Sequence, residues 1–299
     1  MSGYGNTVLV TGDDGFTGCY MRKELESSGY RVVGLTAHAP SGRDRVQVNL
    51  LNEGALEQAV RQIAPDMVVH LAAMAFVGHG NANAFYHVNL LGTRNLLQAL
   101  VRLPRLPKAI LLASSANVYG NASEGMIDET VVPAPANDYA VSKLAMEYMA
   151  KLYADKLPII ITRPFNYTGV GQAESFLIPK IVSHFRKKAV SIELGNIQVY
   201  RDFGDVRMVV RAYKELLERS NAIGQTVNIS TGLAHSLHEV LGMCQDITGH
   251  RLDIEINPDF IRKNEVKMLC GSSERLRRLI GNWQPPLLHD TLRWMLDRG

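Results

Sequence analysis

Thr7-Val8-Leu9-Val10-Thr11-Gly12-Asp13-Asp14-Gly15-Phe16-Thr17-Gly18 reads as an apolar strand, a glycine-rich turn and the opening of a helix that runs to about Ser28. The glycines fall in a GxxGxxG spacing. Small residues there let the backbone approach a pyrophosphate at the helix N-terminus. A glycine-rich turn alone says little. Behind the first strand of an alternating β/α chain it points to a dinucleotide site, with Gly12, Gly15, Phe16, Thr17 and Gly18 as its cradle.

The alternation continues outward from that stretch. Arg31–Thr36 is a second strand, followed by Ala37-His38-Ala39-Pro40-Ser41-Gly42-Arg43 with no acid. An NAD-preferring site usually carries Asp or Glu at this point, on the ribose 2′-hydroxyl. Thr36, His38 and Arg43 would instead tolerate a 2′-phosphate, so the sequence leans to NADPH, with NADH the alternative. The competing reading is a merely exposed loop. Arg45–Val48 is a third strand; Asn49 is placed to bond an adenine, with Leu50 beside it. A helix over Asn52–Ile63 leads to the fourth strand, Asp66–Ala73. This strand is nearly all apolar, as a parallel strand covered on both faces requires. Its end, Leu71-Ala72-Ala73, would let a cofactor lie against the backbone, and His70 reads as a packed strand residue. A long helix is predicted over Ala84–Leu103, with Asn89 either reaching another element or packing. Ala109–Ser115 is the fifth strand and Ile159–Arg163 the sixth. The pattern predicts an α/β fold, a Rossmann doubly wound parallel sheet with ligands at the carboxyl ends of its strands. Residues 1–166 would form it, with returning segments around 196–222, and 167–299 mostly a smaller α/β substrate domain.

Asn137-Asp138-Tyr139-Ala140-Val141-Ser142-Lys143 opens another helix, with Asp138 as the expected N-cap. Tyr139 and Lys143 are four apart and share a face. An ammonium beside a phenol favours the phenolate and lowers the tyrosine pKa from ~10, which makes a proton-transfer device. Taken alone, the same spacing fits a packed tyrosine and a solvated lysine. Ser115, at a strand end, is positioned to meet Tyr139 from a different element.

Bulk properties exclude several classes. A chain of 299 residues, 46% hydrophobic and 20% charged, is an ordinary globular protein. A net charge of +3 is too small for a nucleic-acid-binding stripe. The cluster Arg275–Arg278 reads as a solvated helix face. No apolar run approaches ~20 residues, so no membrane span is expected. The N-terminus lacks a signal-peptide pattern. Three distant cysteines, Cys19, Cys244 and Cys270, suggest reduced thiols and a cytoplasmic protein with no metal site.

With these motifs in hand, the chain resembles the extended short-chain dehydrogenase/reductase family that acts on nucleotide sugars. The resemblance rests on Gly12-Gly15-Gly18, Ser114-Ser115, Val118-Tyr119-Gly120, Tyr139 with Lys143, Arg163-Pro164-Phe165-Asn166, and Arg201-Asp202-Phe203-Gly204-Asp205-Val206. Within that family it is most similar to GDP-6-deoxy-D-mannose reductases, through Arg163–Gln172 followed by Ser175-Phe176. The resemblance implies that Tyr139 is the general acid at a sugar C4 carbonyl. Lys143 would lower the tyrosine pKa and hold the nicotinamide ribose, and Ser115 would bind the carbonyl oxygen. Hydride would come from NADPH. Asn117, Asn166 and Lys180 would join the substrate contacts, Arg201 and Arg262 the diphosphate, and Glu265 a nucleotide ribose. For either arginine alone, a surface ion pair is the competing reading. A homodimer through the helices Ala84–Leu103 and Tyr139–Lys156 is implied as well.

One departure matters. Related 4,6-dehydratases carry a carboxylate two residues past the hydroxyl that matches Ser115. Here that residue is Asn117, whose amide does not titrate; Glu124, Asp128 and Glu129 lie nearby in an expected loop. The sequence therefore points to NADPH-dependent reduction of a nucleotide-linked 4-keto-6-deoxyhexose, GDP-4-keto-6-deoxy-D-mannose by resemblance. A 4-epimerase with bound NAD and a non-catalytic NADPH sensor are the other readings. The nucleotide base and the C4 stereochemistry stay open.

Overall fold

The computed structural model describes residues 6–39, 42–75, 82–121, 125–260 and 267–298. Thr7–Thr11 (β1), Arg31–Thr36 (β2), Arg45–Gln47 (β3), Met67–His70 (β4), Ala109–Ala113 (β5), Ile159–Pro164 (β7) and Thr226–Ile229 (β11) form one parallel sheet. Its order is β11-β7-β5-β4-β1-β2-β3. Gly125–Ile127 (β6), Asn166–Thr168 (β8), Tyr200–Asp205 (β10), Ala234–Ser236 (β12) and Met268–Gly271 (β14) make a second sheet around β10. Ser191–Leu194 (β9) and Asp253–Ile256 (β13) form a parallel pair.

Helices cover both faces of the large sheet. Phe16–Ser27 (α1), Val206–Leu217 (α7) and Glu274–Ile280 (α9) cover one, burying Met21, Leu25, Val209, Leu216 and Leu276. Glu53–Ile63 (α2), Thr93–Val101 (α4) and Asp138–Lys151 (α5) cover the other, with Leu56, Val60, Leu96, Leu100 and Met146. The central strands are buried but for the half-buried Ala113 at the end of β5, which is why their apolar runs do not alternate. Leu177–Arg186 (α6), Leu237–Thr248 (α8) and Leu288–Arg298 (α10) pack a separate core with Ile192, Leu194 and Phe203. The returns to the large sheet extend beyond residue 222, since β11 and α9 both join it. No helix among the described residues is long and apolar enough to cross a membrane.

Three local expectations are corrected. The cap of α5 is Asn137, whose side chain accepts from Ala140 N; Asp138 is the first helical residue and accepts instead from the Tyr86 hydroxyl. β4 ends at His70, so Leu71, Ala72 and Ala73 lie just past the strand. The helix expected over Ala84–Leu103 is helical from 82 to 101 but not uniformly α. Ala82–Phe85 (α3) passes into a π-helical stretch, Tyr86–Gly92, before α4. The wider turn sits where Asn89 leaves the helix to bond Met74 N and O and the Ser142 hydroxyl. Such π-turns cluster at functional sites.

The chain runs β1-β2-β3 to one side and then returns through β4 to the other. The crevice at the carboxyl ends of β1 and β4 is therefore the topological switch point, where open α/β sheets bind ligands.

Candidate active site

At that crevice the glycine turn forms a cradle that no side chain could share. Gly12 has φ +68°, and a Cβ on it would lie 2.9 Å from the Ala72 backbone. A Cβ on Gly18 would come within 2.1 Å of the Gly12 carbonyl. The turn thus packs flat on the end of β4 and delivers Gly15 as the N-cap of α1, with no side-chain cap on the helix's amides. Open amides, a helix N-terminus and bare backbone fit a dinucleotide pyrophosphate. Thr17 Oγ1 and the Tyr167 hydroxyl are hydrogen-bonded at 2.8 Å, and Phe16 stacks on Tyr167 at 6.3 Å. These contacts tie the head of α1 to β8.

His70 sits beneath the cradle as a structural bridge. Its Nδ1 meets Thr11 Oγ1 at 2.7 Å and its Nε2 meets Thr93 Oγ1 at 2.8 Å. Burial, helped by the charge of Lys143, pushes its pKa down to about 3, so the ring is neutral.

Beside the crevice, α5 presents Tyr139 and Lys143, both buried. Lys143 Nζ donates to the Ala113 carbonyl at 2.7 Å. Burial lowers its pKa to about 8, against the pull of Glu147. Tyr139 packs edge-on against Phe85 at 6.0 Å. Here the structure corrects the sequence expectation. Burial raises the Tyr139 phenol to about 12, although a hydrogen bond with Ser115 pulls the other way. Desolvation of the phenolate outweighs what its neighbours return, so the phenol holds its proton at neutral pH. Ser115 caps the short 3-10 turn Ala116–Tyr119 and accepts from Asn117 N at 3.1 Å. Ser115, Tyr139 and Lys143 are thereby brought together from β5's end and α5.

A second buried layer supports them. Glu147 accepts from Ser114 Oγ at 2.5 Å and from Arg163 through Nε at 3.0 Å and Nη2 at 2.6 Å. Arg163 lies over the Tyr119 ring at 4.9 Å, and Tyr119 donates to Asn228. Ser142 Oγ donates to the Tyr139 carbonyl, and Asn89 donates to Ser142. Sequence patterns gave Glu147 and Ser142 no role. The signal was present, since Glu147 follows Lys143 by one helical turn and so shares its face.

The remaining expected residues are more dispersed. Asn49 is exposed, its side chain accepting from Leu51 N, while Leu50 is buried. Arg43 lies exposed ahead of β3. Asn117 and Asn166 are exposed, on the 3-10 turn and on β8. Lys180, on α6, donates to the Glu193 carbonyl at 2.7 Å and lies 4.9 Å over the Phe260 ring. Arg201, on β10, donates to the Tyr200 carbonyl. Next to it Asp202 is fully buried and accepts from Thr231 N and Oγ1, Gly232 N and Gly271 N. Arg262, Glu265 and Glu124 lie outside the described residues.

The end of β2 carries a surprise for the sequence reading. Although neither β2 nor residues 37–43 after it include an acid, Asp14 of the glycine turn is there. Its Oδ2 accepts from Thr36 Oγ1 at 2.5 Å and meets His38 Nδ1 at 3.2 Å. Reading β2 alone missed this because the carboxylate arrives from the neighbouring strand's turn.

A family model described as GDP-mannose 4,6 dehydratase matches residues 9–293. The chain belongs to that family. It is thus an enzyme of the extended short-chain dehydrogenases/reductases, a family of nicotinamide-dependent nucleotide-sugar oxidoreductases. It is 34% identical to the GDP-6-deoxy-D-talose 4-dehydrogenase of Aggregatibacter actinomycetemcomitans, over 92% of this chain and 91% of that one. It is 33% identical to the GDP-6-deoxy-D-mannose reductase of Pseudomonas aeruginosa, over 97% and 96%. Among solved structures, a putative epimerase from Burkholderia cenocepacia J2315 superposes with TM-score 0.93 at 51% identity, over 99% of this chain and 98% of that one. The structure of RMD from P. aeruginosa, complexed with NADPH, superposes at 0.86 with 31% identity, over 98% and 99%.

Asn117, two residues past Ser115, is an amide and does not titrate, and two acids expected nearby are engaged in other contacts. Glu129 is committed elsewhere, accepting from Asn228 N at 2.8 Å and lying 3.5 Å from Arg275 Nε. Asp128 is engaged by Thr130 through both backbone and hydroxyl.

Proposed function

We propose that this protein reduces the C4 ketone of a nucleotide-linked 4-keto-6-deoxyhexose, GDP-4-keto-6-deoxy-D-mannose by the names of its relatives. The observation that carries the reading is the buried Tyr139 in hydrogen-bond contact with Ser115, on the helix that also carries the buried Lys143, whose Nζ is tethered to Ala113. Reduction of a ketone needs a proton donor at the oxygen, and a phenol that keeps its proton at neutral pH is in the donor form. A bound reduced nicotinamide supplies the hydride. Ser115 would donate to the C4 oxygen and orient it toward Tyr139. Lys143, tethered to Ala113, would hold positive charge next to the phenolate left after transfer, lowering the cost of that step. Asn166, Lys180, Arg201, Arg262 and Glu265 are the proposed contacts to the sugar, diphosphate and nucleoside. Guanidinium forks suit phosphate oxygens.

The same scaffold supports a second reading. The B. cenocepacia neighbour is titled a putative epimerase; a 4-epimerase would return hydride to the other sugar face. Purified protein given each reduced dinucleotide and a panel of 4-keto-6-deoxy nucleotide sugars separates the two. Reduction predicts stoichiometric loss of nicotinamide absorbance with one of them. No loss with any, together with interconversion of 4-hydroxy epimers, would reject reduction.

Val141, Tyr148 and Leu152 leave an apolar stripe exposed on and just beyond α5, with Leu91 exposed on the π-helical stretch. A homodimer through these helices is part of the proposal. The three cysteines are free thiols, in keeping with a reducing cytoplasm.

A further inference from the structure

β1 and β2 are parallel neighbours in register from Thr7 opposite Arg31 to Thr11 opposite Leu35. Gly12 N donates to the Leu35 carbonyl at 2.8 Å. The turn after β1 is thereby held against the end of β2, where a dinucleotide places its adenosine ribose. Asp14 occupies this junction with 32% of its side chain exposed. Burial works against its charge, but the bonds from Thr36 and His38 prevail and hold its pKa below the usual carboxylate range. Thr36 Oγ1 gives its one proton to Asp14 and accepts from His38 N. Nδ1 of His38 faces the same Oδ2. Thus the two groups on β2's end that could have bonded a 2′-phosphate already bond a carboxylate. The nearby guanidiniums of Arg22 and Arg45 pair with a different acid, Asp13, at 2.5 and 2.9 Å.

We propose that Asp14 is the residue that sets dinucleotide selectivity, accepting from a free ribose 2′-hydroxyl and repelling a 2′-phosphate, so that the protein takes NAD(H) over NADP(H). Both strand-side contacts fall on Oδ2, and the proposal assigns the ribose hydroxyl to Oδ1. The acid that such sites ordinarily carry at the end of the second strand comes here from the glycine turn. Arg43, exposed beyond the junction, is the opposing cation. It lies on the open loop, where water screens its charge, whereas Asp14 is fixed by two bonds.

The inference rests on the dinucleotide lying along Gly12–Gly18 and not on the sugar chemistry, so the test omits sugar. Purified wild type, Asp14→Asn and Asp14→Ala would be titrated with NADH and NADPH, following nicotinamide fluorescence, after their melting curves show each variant folded. We expect wild type to bind NADH about tenfold more tightly than NADPH, the size of effect a like charge at contact distance gives. Both variants should shift the ratio toward NADPH by about tenfold. Equal or tighter binding of NADPH by wild type, or a ratio unchanged in both variants, would overturn the assignment. Failure of wild type to bind either dinucleotide would overturn it together with the catalytic reading. Selectivity for NADH without reduction of any sugar ketone would leave it standing and reject only the proposed reaction.

Discussion

Lys143 Nζ is bonded to the carbonyl of Ala113 at 2.7 Å, the last residue of β5, which fastens α5 to the strand that ends two residues before Ser115. Its pKa is pushed down to about 8 by burial. Above that pH the ammonium is lost, and with it the charge that steadies a Tyr139 phenolate. The rate kcat/KM for ketone reduction should therefore be level near neutrality and decline as pH rises through about 8. Lys143→Met should lower the plateau and remove this limb. A profile unchanged by the substitution would show that the limb belongs to another group.

Tyr139→Phe removes the proposed proton donor and keeps the ring packed on Phe85. Turnover should fall by about 10²- to 10⁴-fold, the usual worth of a positioned general acid. Dinucleotide binding, read by fluorescence titration, should change little.

The Glu147–Arg163 pair is almost wholly enclosed, with side chains 3% and 8% exposed. Removing one partner of such a pair leaves a buried charge unmatched and costs about 3–5 kcal/mol. Glu147→Ala should lower stability by that order in urea unfolding. Glu147→Gln, which keeps the shape, should lose less. Because Ser114 also leans on Glu147, both variants should reduce kcat through displacement of Ser115.

His70 is neutral in the fold, with its pKa near 3 against the ordinary 6.5. The unfolded chain therefore binds a proton that the folded one does not between those values. Stability should fall as pH drops below about 6.5, by on the order of 1 kcal/mol per pH unit. His70→Gln should flatten that slope in melting curves taken from pH 7 to 5, whatever its effect on stability at pH 7.

If the apolar stripe on α5 is covered by a second copy, Tyr148→Glu with Leu152→Glu should give a folded monomer by sedimentation. An unaltered sedimentation coefficient would place the contact elsewhere. Tyr148 is 60% and Leu152 80% exposed in the single chain, so neither charge disturbs the core.

Most of the large sheet was legible because its strands are sandwiched and carry apolar runs that nothing else explains. The glycine spacing likewise announced its cradle, since Gly12 and Gly18 sit where a methyl would strike backbone. What the sequence hid was the meeting of distant residues. The absence of an acid after Thr36 is a statement about one strand, while Asp14 reaches that point from the adjacent turn. The tyrosine's acidity was misjudged for a similar reason. Spacing on a helix reports that Lys143 is near, but the burial that holds the phenol at about 12 is a property of the packed site. The π-helical stretch Tyr86–Gly92 had no pattern to betray it, and the Asn89 contacts to Met74 and Ser142 join residues far apart in sequence.

β6 finds its partner β14 with Gly125 opposite Leu269, and β10 is edged by β14 as well. β6 thus waits for a strand far downstream in sequence. During translation, the first sheet's early strands emerge ready to pair, but the edges of β6 and β10 that β14 covers stay open until residues 268–271 have emerged. Until then β6 and β10 present unpaired edges, and long-range parallel pairing closes slowly. A premature stop before residue 268 would therefore leave two adhesive edges uncapped, and its cost would appear as aggregation in the cell rather than as a soluble enzyme lacking its tail.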